Sequence, residues 1–440
     1  MNIRIIFATF LVFSILAESH ARDSKKPNLI LIMADDLGYH DLACYGHPKI
    51  KTPVLDKMAR EGVRLTSFYS GATVCTPSRM ALLTGAYPAR LGWKKGVLGY
   101  GIHNTMGCSQ KALTIAEIYK RAGYATAITG KWHLGDRARF LPPRQGFDHT
   151  YYIKRSNNQT KELWRGDKMV EKPFNNRLLT EQFAKDAITF IKAQGEKPFF
   201  LYVPFTAPHF PVQSHPDWKG KSAFGAYGDV VEEMDHRIGE IFKTLQELKI
   251  DKRTIVVFLS DNGPEPREQA QAKPYRGRKW DSLEGGTRVP CIVWYPAAIR
   301  GGQTCEELVA AIDLLPTLAH ACGIDLKTAR ADAPHKVDGV NVWSTLVDRE
   351  DAEHQRTDLL YWHGMNGFHA IRMGDWKLFK NRHGAKHKSQ HDGPVLIHLK
   401  NDVEELTNVA AKYPGRVKEM QELADKRLAD IQENIIPLGQ

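Results

Sequence analysis

"NLILIMADD" occupies positions 28–36. Six apolar residues in a row read as a strand buried on both faces, and the run ends in two acids. Similar runs recur at "VRLTSFY" (63–69), "ATAIT" (125–129), "FFLYV" (199–203), "TIVVFL" (254–259) and "CIVWY" (291–295). Helical patterns separate them: "TPVLDKMAREG" (52–62), with Thr52 as cap and Gly62 as stop, "TIAEIYKRAG" (114–123), with Thr114 and Glu117 at capping-box spacing, "TEQFAKDAITFIKAQG" (180–195), a stretch around 227–248, and "IDLLPTLAHACG" (312–323). The alternation predicts an α/β fold with a mostly parallel sheet flanked by helices on both faces. After about residue 350 the texture changes. "YWHGM", "FHAIRMGDWKLFKN" and "GPVLIHL" read as short strands, and "VKEMQELADKRLADIQ" (417–432) as a closing helix. The expected division is a main domain over 22–345 and a smaller C-terminal antiparallel-sheet subdomain over 346–440.

The first 21 residues stand apart. A weakly positive start, the apolar core "IIFATFLVFSILA" (5–17) and the small-x-small ending "SHA" (19–21) read as a secretory signal peptide cleaved after Ala21. The core is shorter than the roughly 20 residues a spanning helix needs, and no later stretch is long and apolar enough to span. The chain is therefore expected to be exported, periplasmic or secreted. Its net charge of +11 suits a polyanionic partner. Nucleic acid is set aside, because no binding module is recognisable and the leader directs export. Six cysteines (44, 75, 108, 291, 305 and 322) invite disulfides in such a compartment, yet a chain of 440 residues needs no staples to bury a core.

The ends of the strands carry the chemistry. Asp35 and Asp36 follow the first. Cys75, within "GATVCTPSRMALLTG" (71–85), comes shortly after the second. "GKWH" (130–133) brings Lys131 and His133 after the third, "PFTAPH" (204–209) brings His209 after the fourth, and "DNG" (261–263) brings Asp261 and Asn262 after the fifth. Ligands of open α/β sheets bind outside the carboxyl ends of the strands, so residues spread over more than 220 positions can converge there. Any one of them alone reads as a turn, a cap or ordinary loop chemistry. Asp35, Asp36, Asp261 and Asn262 offer oxygen only, which suits a hard cation such as Ca²⁺ or Mg²⁺. Arg79, Lys131, His133, His209 and Lys279 add positive or potentially positive groups, as an oxyanion ester would require. Cys75 itself admits four readings: packing residue, half-disulfide, nucleophile, or raw material for a modification.

These stretches carry a resemblance. "CTPSR" (75–79) with "LLTGAYP" (82–88), "GKWHLG" (130–135), "MADDLGY" (33–39), "APH" (207–209), "SDNG" (260–263) and "RGRKWDSLEGGTRVP" (276–290) match, in order, blocks of the type I sulfatases of the alkaline phosphatase superfamily. The resemblance runs from about 27 to about 410. It implies an alkaline-phosphatase-like fold and hydrolysis of sulfate esters, most simply of a sulfated carbohydrate. It also implies that Cys75 is converted by a separate formylglycine-generating or sulfatase-maturing enzyme to Cα-formylglycine, whose hydrate has one hydroxyl to attack sulfur and another to expel sulfate. Asp35, Asp36, Asp261 and Asn262, with residue 75, correspond to the Ca²⁺ ligands. Arg79 and Lys131 correspond to groups that hold the hydrate and the sulfate, His133 to the base, and His209 with Lys279 to the pair that binds the ester and protonates the leaving oxygen.

Some positions depart from the family pattern. Ala86 stands where Arg is common, and "LIHL" (396–399) follows the basic segment "RHGAKHKSQHDG" (382–393), read as a solvated loop or a substrate-touching one. The stretch 90–107, His363 and His369 are candidates for a pocket wall, and Asn158 opens a glycosylation sequon. Two alternatives are a phosphonate or phosphodiester hydrolase of the same superfamily, which tends to carry His at the position of Asn262, and a non-catalytic polyanion-binding homologue.

Overall fold

Alternate side chains of the strand Asn28–Ala34 enter two different cores. Leu29, Leu31 and Met33 join one apolar cluster, and Ile30, Ile32 and Ala34 join the other. That follows from the period of two along a strand whose two faces are both covered. The structure is a computed structural model and describes residues 26–102, 104–347, 356–381, 386 and 393–439. The leader 1–21, and all of the basic segment 382–393 except Lys386 and Gly393, lie outside the described residues.

Asn28–Ala34 is central in a ten-stranded sheet. It runs parallel to Phe199–Pro204 on one side and Thr254–Ser260 on the other. Beyond Phe199–Pro204 come Ala125–Lys131 and His149–Ile153, both parallel, then an antiparallel pair, Leu163–Arg165 and Lys168–Glu171. Beyond Thr254–Ser260 comes Cys291–Trp294, antiparallel, then Val63–Leu65 and Gln303–Cys305. Helices Cys75–Thr84, Ile115–Arg121 and Leu314–Ala321 cover one face, and helices Pro53–Glu61, Leu179–Ala193 and Gly225–Glu247 the other.

Two details differ from expectation. "VRLTSFY" is not one strand. Val63–Leu65 stays in the large sheet, whereas Phe68–Tyr69 pairs with Val309–Ala310. At the break, the Thr66 carbonyl accepts from Arg288 Nε at 2.7 Å rather than extending a ladder. Thr52 does not cap its helix through its side chain. The orphan amides of Val54 and Leu55 donate to the Asp235 carboxylate at 3.1 and 2.8 Å, a charge well placed at a helix N-terminus. The capping box at Thr114 and Glu117 is present.

The antiparallel strands Asp358–His363, Gly367–Met373, Trp376–Phe379 and Val395–His398 form a separate four-stranded sheet. Leu359, Ile371, Leu378 and Leu396, with Met420 and Ala424 of the helix Pro414–Glu433, belong to the same cluster as Leu82 and Leu83, so this sheet shares the main core. All six cysteines are free thiols. Among the described residues no helix is long and apolar enough to cross a membrane.

Candidate active site

The parallel strands end on one edge of the sheet, and their ends supply the cluster the sequence pointed to. Asp35 and Asp36 follow Asn28–Ala34, Lys131 closes Ala125–Lys131, and Asp261 and Asn262 follow Thr254–Ser260. Cys75 is the first residue of the ten-residue helix Cys75–Thr84. Lys279 arrives from a loop that only glycine lets approach. A Cβ on Gly263 would stand 2.0 Å from the Gly285 carbonyl, and Gly263 N donates to Gly286 O at 3.0 Å.

Cys75 Sγ lies 3.5 Å from Asp35 Oδ1 and 3.9 Å from Asp36 Oδ1. Each acid has a cation. Lys131 Nζ is 2.7 Å from Asp35 Oδ2, Lys279 Nζ is 2.6 Å from Asp36 Oδ2, and Arg79 donates through Nε and Nη2 to Asp261 Oδ2 at 2.9 and 2.7 Å. Arg79 Nη2 is also 3.2 Å from Asp35 Oδ1. His209 Nε2 stands 3.5 Å from Asp36 Oδ2, while its Nδ1 faces Asn157 Oδ1 at 3.1 Å and the Phe210 carbonyl. His133 Nε2 is 3.3 Å from the Leu98 carbonyl, and its Nδ1 is buried without a partner. Asp36, His133 and Trp280 hold positive φ angles of 66°, 61° and 75°. Non-glycine residues pay strain for that conformation, and such strain gathers at functional sites.

Electrostatics follow from burial. Burial favours the neutral form of Asp35, but Lys131, His209, Arg79 and Lys279 together hold its carboxyl well below the usual range. Asp36 goes the other way: burial, reinforced by the Asp35 charge, outweighs Lys279. Burial, aided by Asp35, also pushes Asp261 up to about 7. Burial pushes His209 down to about 3 and His133 well below the usual histidine range, and it pushes the Cys75 thiol up. A thiol so held is a poor thiolate nucleophile, which weighs against unmodified cysteine chemistry.

The donor set fits a hard cation. Asn262 Nδ2 donates to Asp36 Oδ1 at 2.7 Å, yet Asn262 Oδ1 is buried with no hydrogen-bond partner. An orphaned amide oxygen beside three carboxylates is what an oxygen-seeking cation would satisfy. Asp35, Asp36, Cys75 and His209 present ligand atoms that all lie within 4.8 Å of one another.

Above the acids opens a cleft of about 440 Å³ that includes Cys75, His133, His209, Lys279, Tyr100 and Arg267 among its walls. Val97, Gly99 and Tyr100 come from the candidate stretch 90–107. His363 and His369 stack on one another at 4.3 Å and are not among the described residues lining the cleft. Asn157 and Glu265 were missed in the sequence. Glu265 Oε2 lies 3.6 Å from Lys279 Nζ. Asn157 had a usable signal, since it follows the strand His149–Ile153 as the other site residues follow theirs.

The sulfatase family model matches residues 27–324. The chain belongs to the sulfatase family. As a sulfatase it is a hydrolase of sulfate esters, and a second match, to the C-terminal region of N-sulphoglucosamine sulphohydrolase, covers residues 279–434. This sulfatase is 35% identical to an arylsulfatase of Hemicentrotus pulcherrimus over 83% of this chain and 70% of that one. It is 32% identical to the N-acetylgalactosamine-6-sulfatase of Homo sapiens, over 94% and 87% of the two chains. Among solved structures, the PsFucS1 sulfatase from Pseudoalteromonas sp. superposes with a TM-score of 0.85 at 25% identity, over 95% of this chain and 93% of that one.

Proposed function

We propose that this chain is an exported sulfatase that removes sulfate from a sulfated carbohydrate, using residue 75 as formylglycine and one bound Ca²⁺. The observation that carries the reading is the position of Cys75. It opens a helix, touches Asp35 and Asp36, and shares its cleft with Lys279, His133 and His209. Asp35, Asp36, Asp261, Asn262 and residue 75 would hold the cation, which supplies positive charge to an oxyanion. Formylglycine, made from Cys75 by a maturing enzyme, supplies a hydrated aldehyde as the nucleophile.

The remaining work falls to side chains of this chain. Arg79 fixes Asp261 and Asp35 through its fork of donors. Lys131 and Lys279 bring two ammonium groups to sulfate oxygens, compensating charge as it shifts in the transition state. His133, donating from Nε2 to the Leu98 carbonyl, keeps its Nδ1 lone pair free to accept a proton. His209, anchored at Nδ1, presents Nε2 toward the Asp36 carboxylate that also holds Lys279. The two form the pair that binds the ester, with the Lys279 ammonium carrying the proton for the departing oxygen and His209 Nε2 positioned to relay it. Asn262 stands where phosphonate and phosphodiester hydrolases tend to carry His, which favours sulfate. The full complement of acids, bases and cations favours turnover over mere polyanion binding. The leader 1–21 supports export, and a main domain over 22–345 with a subdomain over 346–440 remains our division of the chain.

The test is coexpression with a formylglycine-generating enzyme, mass analysis of the residue 75 peptide, and sulfate release from a panel of defined oligosaccharides. An aldehyde at residue 75 with release from at least one sugar sulfate is the expected result. A matured protein that cleaves phosphonate esters but no sulfate ester would overturn the reading.

A further inference from the structure

The loop carrying residues 154–162 has two working sides. Ser156, Asn158 and Gln159 line the cleft above Cys75. On the other side, Lys154, Arg155, Gln159, Thr160, Lys161 and Lys172, with Asp136 and Glu162, line a second open groove of about 320 Å³. Gln159 is common to both, so the groove adjoins the cleft across a single side chain.

The charges in the groove do not cancel. Arg155 is paired with Asp136, and Lys172 Nζ with Glu162 Oε1 at 2.8 Å. Among the described residues, Lys154 and Lys161 have no carboxylate within ion-pair distance. Lys154 Nζ instead stands 3.6 Å from the centre of the Trp164 ring, and Lys161 Nζ lies 3.4 Å from the Asn157 carbonyl and 5.5 Å from the Phe174 ring. Partial burial holds Lys154 below the ordinary lysine range. Two ammonium groups, each positioned by an aromatic ring, face an open groove with a net excess of two positive charges. Arg155 also connects the groove to the cleft wall: a Cβ on Gly99 would stand 3.0 Å from its Nη1, next to the exposed ring of Tyr100.

We propose that the groove beside Gln159 is a second anion subsite, in which Lys154 and Lys161 bind a sulfate or carboxylate on the sugar adjoining the one whose sulfate ester enters the cleft. The inference rests on the sulfatase reading and sharpens it: the preferred substrate carries at least two negative charges on neighbouring sugars. Lysines supply point charges on flexible stems, so the subsite selects charge rather than the shape of one oxyanion.

The test uses the matured enzyme and three disaccharides with the same target sulfate ester, their second sugar bearing a sulfate, a uronic carboxylate or no charge. The wild type should prefer each charged disaccharide over the neutral one by about tenfold in kcat/KM, chiefly through KM, as expected from two partly solvated ion pairs. Lys154→Met with Lys161→Met keeps the apolar stems on Trp164 and Phe174 and should bring both ratios close to one. Preference for only one charged disaccharide identifies which anion the subsite takes. Equal kcat/KM on all three substrates in the wild type, or ratios unchanged in the double variant, overturns the subsite. Binding of the same disaccharides to Cys75→Ala, followed by calorimetry, separates the two levels. Charge-dependent binding lost in the Lys154/Lys161 background supports the subsite even if no sulfate is released, a result that would instead count against the sulfatase reading.

Discussion

Glu284 Oε1 and Lys377 Nζ lie 2.9 Å apart, fully buried, and join the loop that carries Lys279 to the four-stranded sheet. Glu284 opens the short helix Glu284–Thr287 that closes the Lys279 loop, and Lys377 belongs to the strand Trp376–Phe379 of the small sheet. Lys377 also pairs with Glu405 at 2.8 Å. The pairing predicts that Lys377→Met, though close in volume, leaves two buried carboxylates facing each other. A loss of about 3–5 kcal/mol in chemical denaturation is expected. Adding Glu405→Gln should recover part of it, and a loss below about 1 kcal/mol would show that the pair does not hold the Lys279 loop to the four-stranded sheet.

The same cluster sets a pH dependence. Burial opposes ionisation of Glu284, but Lys377, Arg288 and Arg372 hold it down at about 2, against an ordinary 4.5. Its contribution is complete above pH 4.5 and is lost as pH falls toward 2. Glu405 is pushed up to about 7 by burial, with the Glu284 charge adding to it. It therefore costs stability as pH rises from 4.5 to about 7. Glu405→Gln should flatten the stability curve across that upper window relative to wild type, and Glu284→Gln should flatten the lower one. Parallel curves for wild type and Glu405→Gln in urea titrations would refute the assignment.

Maturation is tested at Cys75, whose side chain is 2% exposed. Cys75→Ala removes one small buried atom group and no partnered charge, so stability should change by only about 1 kcal/mol. Activity should vanish. Substantial turnover by this variant would exclude residue 75 as the nucleophile.

Metal binding predicts a thermal shift that depends on Asn262. A ligand at a hundred times its Kd stabilises by about 2.7 kcal/mol. Calcium should therefore raise the Tm of the wild type by a few degrees and that of Asn262→Ala far less. Asp261→Ala should weaken calcium binding too, and should also lower the metal-free Tm because it leaves Arg79 buried with one partner fewer. Identical calcium shifts in all three proteins would relocate the metal site.

Leaving-group chemistry separates His209 from His133. A sugar alkoxide needs a proton as it leaves, whereas nitrophenolate scarcely does. His209→Ala should lower kcat on a sugar sulfate by about 10²–10⁴-fold and on nitrophenyl sulfate much less. Lys279→Ala should follow the same pattern if it shares the proton, and should raise KM on both substrates if it only grips sulfate. His133→Ala should stall after the first step and leave sulfate on residue 75, visible as added intact mass. Equal losses on both substrates for His209→Ala would leave it as a sulfate ligand only.

Some of this architecture was legible in the chain itself. The strand "NLILIM", the capping box at Thr114 and Glu117, and the start of a helix at Cys75 are near-neighbour properties, set by side-chain period, turn chemistry and the unsatisfied amides of a first turn. Because parallel strands end on one edge, the order of the motifs also announced that Asp35, Lys131, His209 and Asp261 would meet. The partners themselves were not legible. Asp235 caps a helix 181 residues earlier in the chain. Gln159 became the wall between a cleft and a cationic groove, and Glu284 met Lys377 across 93 residues. Such contacts are chosen by which buried charges and orphaned amides the packed layers bring within hydrogen-bond distance. Desolvation makes an unpaired group costly only once the chain has folded around it, so no local stretch records which partner answers it.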